Sequence, residues 1–178
     1  MLSDADVILG EPALERLDDF GTAIVSPGIP EADETLRQLR AVGVDIKSDI
    51  DLFVSEASAD IVAVTGSNGK STVTTLIALM CEAAGLKSLA GGNLGHAALD
   101  LLAEQRPDLY VLELSSFQLE RAAPINAEVA TVLNISADHM DRYSSLQAYH
   151  QAKHRVFFGC RQAVVNRDDN LTKPLVPD

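Results

Sequence analysis

The stretch that most constrains this chain is Ile61-Val-Ala-Val-Thr-Gly-Ser-Asn-Gly-Lys-Ser-Thr72, an apolar run that breaks into a glycine-bracketed turn and ends in Lys70, Ser71 and Thr72. Ile61, Val62 and Val64 favour a buried strand, because β-branched side chains pack well on a pleated surface. Gly66 and Gly69 release the backbone from limits that a side chain would impose, so amide N–H groups of this turn can point inward. The following helix brings the positive end of its dipole, Lys70 a mobile charge, and the Ser71 hydroxyl a ligand for magnesium. This is a phosphate-binding loop, with Gly66, Ser67, Asn68, Gly69, Lys70, Ser71 and Thr72 as the candidate nucleotide contacts. The usual loop carries a glycine five residues before its Gly-Lys pair, and Val64 stands there instead.

The rest of the chain alternates strand and helix signals around that loop. Before it, Val7–Leu9, Ala23–Val25 and Val44 with Ile46 read as strands, and Glu34–Ala41 and Asp49–Ala57 as helices. After it, Val73, Leu76, Ile77, Met80 and Ala84 recur at helical spacing, which predicts a helix packed on a sheet and ending near Gly85. Lys87–Ala90, Leu109–Leu114, Val129–Leu133 and Ala163–Val165 read as strands, and Ala97–Ala103 and Ser145–Phe158 as helices. Connections of crossover length predict an α/β fold with a doubly wound, parallel sheet.

Composition excludes several partners. With 178 residues and 47% hydrophobic residues the chain can bury a core, while a formal net charge of -12 repels nucleic-acid phosphates. No apolar run approaches the ~20 residues of a membrane span, and the N-terminal residues lack the pattern of a signal peptide, so a cytoplasmic protein is expected. Cys81 and Cys160 stand far apart without metal-ligand spacing and read as reduced, structural residues.

Three residues outside the loop carry chemistry. Glu113 ends the apolar strand Leu109–Leu114, where an unpaired carboxylate would be costly; it either reaches solvent or serves a nucleotide-bound magnesium. His139, in Asp138-His-Met-Asp141, follows another strand and is either a surface residue or a ligand. Lys153 lies four residues after Tyr149 and three before Val156, on the apolar face set by Leu146, Tyr149, Val156 and Phe157. Its ammonium either snorkels to water or turns into the cleft, and as a cation it cannot ligate magnesium. Ser26-Pro-Gly-Ile-Pro30, just after a strand, is either a plain turn or a ligand loop.

Thr65–Thr72, Gly91-Gly-Asn-Leu-Gly95, Glu113-Leu-Ser-Ser-Phe-Gln-Leu-Glu120, Asn134-Ile-Ser-Ala-Asp-His-Met-Asp141 and Tyr149-His-Gln-Ala-Lys153 together closely resemble the Mur ligases, over nearly the whole chain. Val64 fits that family's shorter loop. The resemblance implies an ATP-dependent ligase of peptidoglycan synthesis that joins D-glutamate to UDP-N-acetylmuramoyl-L-alanine through an acyl phosphate. It implies that residues 1–58 are part of a UDP-binding, Rossmann-like domain. Residues 59–178 would be an incomplete, mostly parallel-sheet P-loop ATP-binding domain, with no C-terminal domain. By residue matching, Lys70, His139 and Lys153 would be catalytic. Ser71 and Glu113 would hold one Mg2+, and His139 and a carbamylated Lys153 a second. Asn93, Ser115 and Gln118 would meet the muramoyl-alanine end and Gly28 the uridine-diphosphate end. The family also implies a monomeric parent enzyme in the bacterial cytoplasm, and a chain that does not turn over alone. A folylpolyglutamate synthase-like ligase, a nucleotide or UDP-sugar binding module without turnover, and a signalling NTPase are the alternatives; the Ser115-Ser-Phe-Gln118 run argues against the first and the lack of switch segments against the last.

Overall fold

The computed structural model describes residues 20–93 and 95–175, so the strand expected at Val7–Leu9 lies outside the described residues. Two parallel sheets are formed. Strand β1 (Thr22–Ile24) pairs with β2 (Asp45–Lys47) through the crossover helix α1 (Glu34–Ala41). Val25, Leu36, Leu39 and Val44 close a small core beneath this pair. Helix α1 begins where Asp33 accepts a bond from the Thr35 amide, and Leu36 and Leu39 then fall on one face, as their spacing predicts.

The larger sheet has five strands in the order β4-β5-β3-β6-β7, all paired in parallel. They are β3 (Asp60–Thr65), β4 (Ser88–Gly92), β5 (Leu109–Glu113), β6 (Val129–Val132) and β7 (Gln162–Val164). The chain runs from β3 to the β4 edge, returns through β5, and crosses to β6 on the other side of β3. Such a switch point opens a crevice at the carboxyl ends of the strands. The register puts Val64, Glu113 and Gly92 on one line across that rim. The doubly wound α/β expectation therefore holds, with each strand within one or two residues of its predicted limits.

Helix α2 (Asp49–Glu56), opened by a reciprocal capping box between Ser48 and Asp51, packs on the large core: Ile50 and Phe53 are buried there, and the Phe53 and Tyr110 rings meet edge to face at 5.0 Å. Three helical expectations need correction. Ala98–Ala103 is a 3₁₀ helix, in keeping with its short span between β4 and β5. The α-helix after Ser145, α5 (Leu146–His154), stops at His154 and tightens into a 3₁₀ turn over Arg155–Phe157. Helix α3 (Lys70–Ala83) does lie on the sheet, but through Val73, Thr74, Ile77, Ala78 and Cys81; Leu76 and Met80, expected inside, are 53% and 62% exposed. A sixth helix-forming segment, α4 (Ser116–Arg121), has no clear apolar period in the sequence and is set by the Ser115–Gln118 capping box. Among the described residues no helix is long and apolar enough to cross a membrane.

Candidate active site

The phosphate loop leaves the carboxyl end of β3 and enters α3, whose N-cap, Gly69, has φ 80, a left-handed conformation that favours glycine. The loop is held from behind rather than left free. The Ser67 amide donates to the Asn134 carbonyl at 3.0 Å, and the Ser67 hydroxyl donates to the Ser136 carbonyl at 3.0 Å while accepting from the Ser136 amide at 2.9 Å. Asn68 and Asn134 pair reciprocally: the Asn68 amide donates to Asn134 Oδ1 at 2.9 Å, and Asn134 Nδ2 donates to the Asn68 carbonyl at 3.0 Å. The Asn68 and Ser67 amides are therefore spent inside the protein. Those from Gly69 onward remain for an anion, at the positive end of a 14-residue helix. Lys70 Nζ folds over the loop, donating to the Gly66 and Ser67 carbonyls at 3.0 and 3.2 Å. Ser71 and Thr72 stand in the first turn of α3.

Glu113 sits beside this loop at the end of β5, only 2% exposed. Asn93 Nδ2 donates to its Oε1 at 3.0 Å, and the Asn93 amide donates to its main-chain carbonyl at 2.8 Å. Among the described residues its Oε2 is buried without a hydrogen-bond partner. A buried, half-satisfied carboxylate is costly, and a cation at the rim would satisfy it. Gly92 is required for this approach, because with φ 107 a Cβ there would meet the Glu113 carbonyl oxygen at 2.3 Å.

Lys153 does not snorkel. It is 2% exposed, with Nζ 3.5 Å from Thr65 Oγ1 and 4.8 Å above the Tyr149 ring. Burial, reinforced by the Lys70 charge, lowers its pKa from 10.5 to about 7, against the opposing pull of Asp138 and Glu113. The amine thus lies beneath the loop, where burial favours its neutral form. Tyr149, which sequence periodicity marks only as a core residue, places its hydroxyl 3.0 Å from Ser67 Oγ and so joins α5 to the loop.

His139 stands on the rim, with its side chain 47% exposed and its backbone in the left-handed region at φ 53. Its amide donates to Asp138 Oδ1 at 2.9 Å, and its ring lies 4.8 Å from that of Phe117. Ser115 and Gln118 are turned toward each other: Gln118 Oε1 accepts from the Ser115 amide and hydroxyl at 3.0 and 3.1 Å. Gln118 Nε2 then donates to Asp49 of α2 at 3.3 Å. Gly28 lies in the turn after β1, and its carbonyl accepts from Arg142 at 2.9 Å. The fold thus brings Asn93, Glu113 and Lys153 around the phosphate loop and links the turn at Gly28 to the His139 segment. Sequence reasoning misses the partners of Asn134, Tyr149, Arg121 and Arg142; the first two stand within blocks already singled out, but spacing announces none of them as a partner of the loop or of the turn after β1. A separate cavity of about 670 Å³, lined by Tyr143, Ala148, Gln151, Ala152, Phe157 and Leu175, uses a different face of α5 from Tyr149 and Lys153 and is apart from this chemistry.

The family model described as the Mur ligase middle domain matches residues 64–176, which span the loop, Glu113, His139 and Lys153. The chain belongs to the Mur ligase family. This Mur ligase chain is 57% identical over 173 residues to the UDP-N-acetylmuramoylalanine–D-glutamate ligase of Pseudomonas aeruginosa, covering 97% of the chain and 38% of that relative. It is 52% identical over 175 residues to the enzyme of the same name from Marinobacter nauticus, covering 98% of the chain and 39% of that relative. The chain therefore spans about two fifths of the length of these relatives. Among solved structures, a UDP-N-acetylmuramoyl-L-alanyl-D-glutamate–2,6-diaminopimelate ligase superposes with a TM-score of 0.56 at 26% identity, over 84% of this chain and 41% of that one. The MurF ligase from Thermotoga maritima in complex with ADP superposes with a TM-score of 0.54 at 18% identity, over 86% of this chain and 47% of that one, which shows the shared fold.

Proposed function

We propose that the protein to which this chain belongs uses ATP to join D-glutamate to UDP-N-acetylmuramoyl-L-alanine in the bacterial cytoplasm, and that this chain supplies the phosphate-handling half of the site. The observation that carries the reading is the buried, partnerless Glu113 Oε2 beside a phosphate loop and above a buried amine. The choice of substrates is supported by the relatives at 52% and 57% identity, which are named for that reaction. Residues 1–58 would contribute part of the uridine-diphosphate domain and residues 59–178 the ATP-binding domain.

A carboxylate resists amine attack until one oxygen becomes a leaving group. The γ-phosphoryl of ATP is therefore transferred to the alanyl carboxylate with release of ADP, and the D-glutamate amine then displaces phosphate from the acyl phosphate. Lys70 and the amides from Gly69 to Thr72 hold the phosphates. Ser71 and Glu113 would hold one magnesium ion, and His139 with a modified Lys153 a second. When bound, these ions neutralise phosphate charge and polarise the transferring group. Asn93 orients Glu113, and with Ser115 and Gln118 it forms the muramoyl-alanine end; Gly28 lies at the uridine-diphosphate end.

The Lys153 amine, neutral in part at physiological pH, adds to carbon dioxide through a new N–C bond and loses one proton to solvent. A buried cation becomes an anion that can ligate metal. In ¹³C-bicarbonate buffer a carbamate carbon resonance is expected in this chain and absent from Lys153→Arg. A wild-type spectrum without it overturns the carbamate.

Calorimetry tests the phosphate half: the chain is expected to bind magnesium–ADP and Lys70→Ala to lose at least about tenfold in affinity, as expected for a charge-assisted phosphate contact. The chain alone is expected to release no phosphate from ATP with both acceptor substrates present, whereas the whole protein turns over. Protection from heat by UDP-N-acetylmuramoyl-L-alanine, and not by a folate, separates this reading from a folylpolyglutamate synthase-like one.

A further inference from the structure

The turn after β1 is gripped by two arginines from the other unit of the molecule. Arg121, at the end of α4, donates to the carbonyls of Val25, Ser26 and Ile29 at 3.4, 3.1 and 2.9 Å, with its Nε on Glu31 at 2.6 Å. Arg142 donates to the carbonyls of Gly28, Ile29 and Pro27 at 2.9, 3.3 and 3.4 Å, and to Glu120 at 2.9 Å. All five consecutive carbonyls from Val25 to Ile29 are engaged. Exposed turns ordinarily leave such groups to water, so two guanidiniums committed to one turn fix it against the larger sheet.

Arg142 is also tied to His139. Its amide donates to the His139 carbonyl at 2.9 Å, closing the turn in which His139 has φ 53. Its guanidinium lies 4.7 Å over the Phe117 ring, and that ring packs 4.8 Å from the imidazole of His139. A left-handed non-glycine residue persists where its surroundings over-determine it, and here they are Arg142 and Phe117 together with Asp138, which accepts from the His139 amide, and the Tyr143 amide, which also donates to the His139 carbonyl.

We propose that Arg142 is a positioning residue that couples the turn at Pro27–Ile29 to His139, so that an anionic sugar nucleotide held at the turn helps set where the imidazole stands. The proposal rests on the reading of that turn as the uridine-diphosphate end, and it names no contact between Arg142 and the reacting atoms. Displacement of the turn is passed to Arg142 through its carbonyl bonds and from there to the Phe117 ring and the backbone turn at His139. Lysine at position 142 would keep one charge but could not bridge three carbonyls and a carboxylate, nor stack a planar face on Phe117.

The test follows the histidine ring resonances of the whole 178-residue chain by NMR, with His139 assigned by its loss in His139→Asn. Without ligand, Arg142→Lys is expected to move the His139 ring signals and to speed amide exchange at Gly28 and Ile29 about tenfold, the scale of one or two lost hydrogen bonds. At saturating uridine diphosphate, the wild-type His139 signals shift, and in Arg142→Lys that shift is expected to be largely lost. A parallel variant, Arg121→Lys, loosens the same turn from its other side and is expected to move the ligand-free His139 signals less than Arg142→Lys does; an equal movement overturns the assignment of the coupling to Arg142. Unchanged His139 signals and turn exchange in Arg142→Lys overturn the proposal. Failure of uridine diphosphate to bind wild type at millimolar concentration overturns the sugar-nucleotide reading instead, and the ligand-free comparison still decides whether Arg142 ties the turn to His139.

Discussion

Helices α3 and α5 invert the usual relation between composition and burial. Helix α3 is the more apolar, yet its one fully buried residue is Thr74, and Leu76, Leu79 and Met80 face outward. Helix α5 is polar by composition and buries Tyr149, Lys153 and His154. The reason lies in what each helix must do at the rim. Helix α3 is fixed by its N-terminus, because the phosphate loop dictates how it leaves the sheet; its rotation is then set by the loop and not by its apolar stripe. Helix α5 carries Tyr149 and Lys153 to the underside of the same loop, and most of its buried polar atoms meet Ser67, Thr65 and the Leu171 carbonyl, His154 Nδ1 alone having no partner among the described residues. Hydrophobic period tells which face of a helix could be buried, whereas chain entry and available partners decide which face is.

The contrast can be broken by substitution. The largest effect is expected at Tyr149→Ala, which opens a cavity in a fully buried position and removes the bond to Ser67; a loss of about 3–5 kcal/mol in denaturant unfolding would place α5 at the centre of the fold. A loss below about 1 kcal/mol would mean that α5 is as loosely held as α3.

Next comes Lys153→Met, where the polar helix should gain from losing its buried charge. Stability is expected to rise by roughly 2–4 kcal/mol in bicarbonate-free buffer below pH 7. The sign follows from the pKa lowered from 10.5 to about 7: below 7 the fold holds a buried ammonium and bears the whole penalty. Between 7 and 10.5 the unfolded chain binds a proton that the fold releases, so wild type recovers as pH rises, and the advantage of the variant fades near 10.5. Thermal melts of both proteins from pH 6 to 10.5 measure this; a pH-independent difference would contradict it.

Asn134→Ala should cost about 1–2 kcal/mol by removing both bonds to Asn68, and should weaken magnesium–ADP binding because the loop loses its backing. Unchanged nucleotide affinity would show that the loop is rigid without that pair. The smallest effect is expected on α3: Leu79→Gln, at a position 56% exposed, should change stability by less than about 0.5 kcal/mol. A larger loss would show that this face is covered in solution.

Much of the site was legible because its chemistry is local. Gly66 to Thr72 declare a phosphate loop through residue types that few other structures need in that order. Glu113 was marked by the cost of a carboxylate in an apolar strand, and its partnerless oxygen bears out that cost. Lys153 was visible as an anomaly on an apolar face, but spacing could not say whether its ammonium reached water. Tyr149, Asn134, Arg121 and Arg142 were not legible as partners, since each reaches a residue between 66 and 114 positions away, and the identity of those partners is a property of the fold.

The sequence by itself determined the parallel α/β architecture, the glycine-bracketed turn between β3 and α3 and the family, because strand and helix periods, glycine positions and motif order are all short-range information. Only the tertiary structure decided that α3 shows its leucines to solvent, that Lys153 is sealed beneath the loop, and that two arginines grip every carbonyl from Val25 to Ile29. Burial, a shifted pKa and a hydrogen bond between distant residues depend on what the chain brings together, and that is fixed by the order and crossing of the strands.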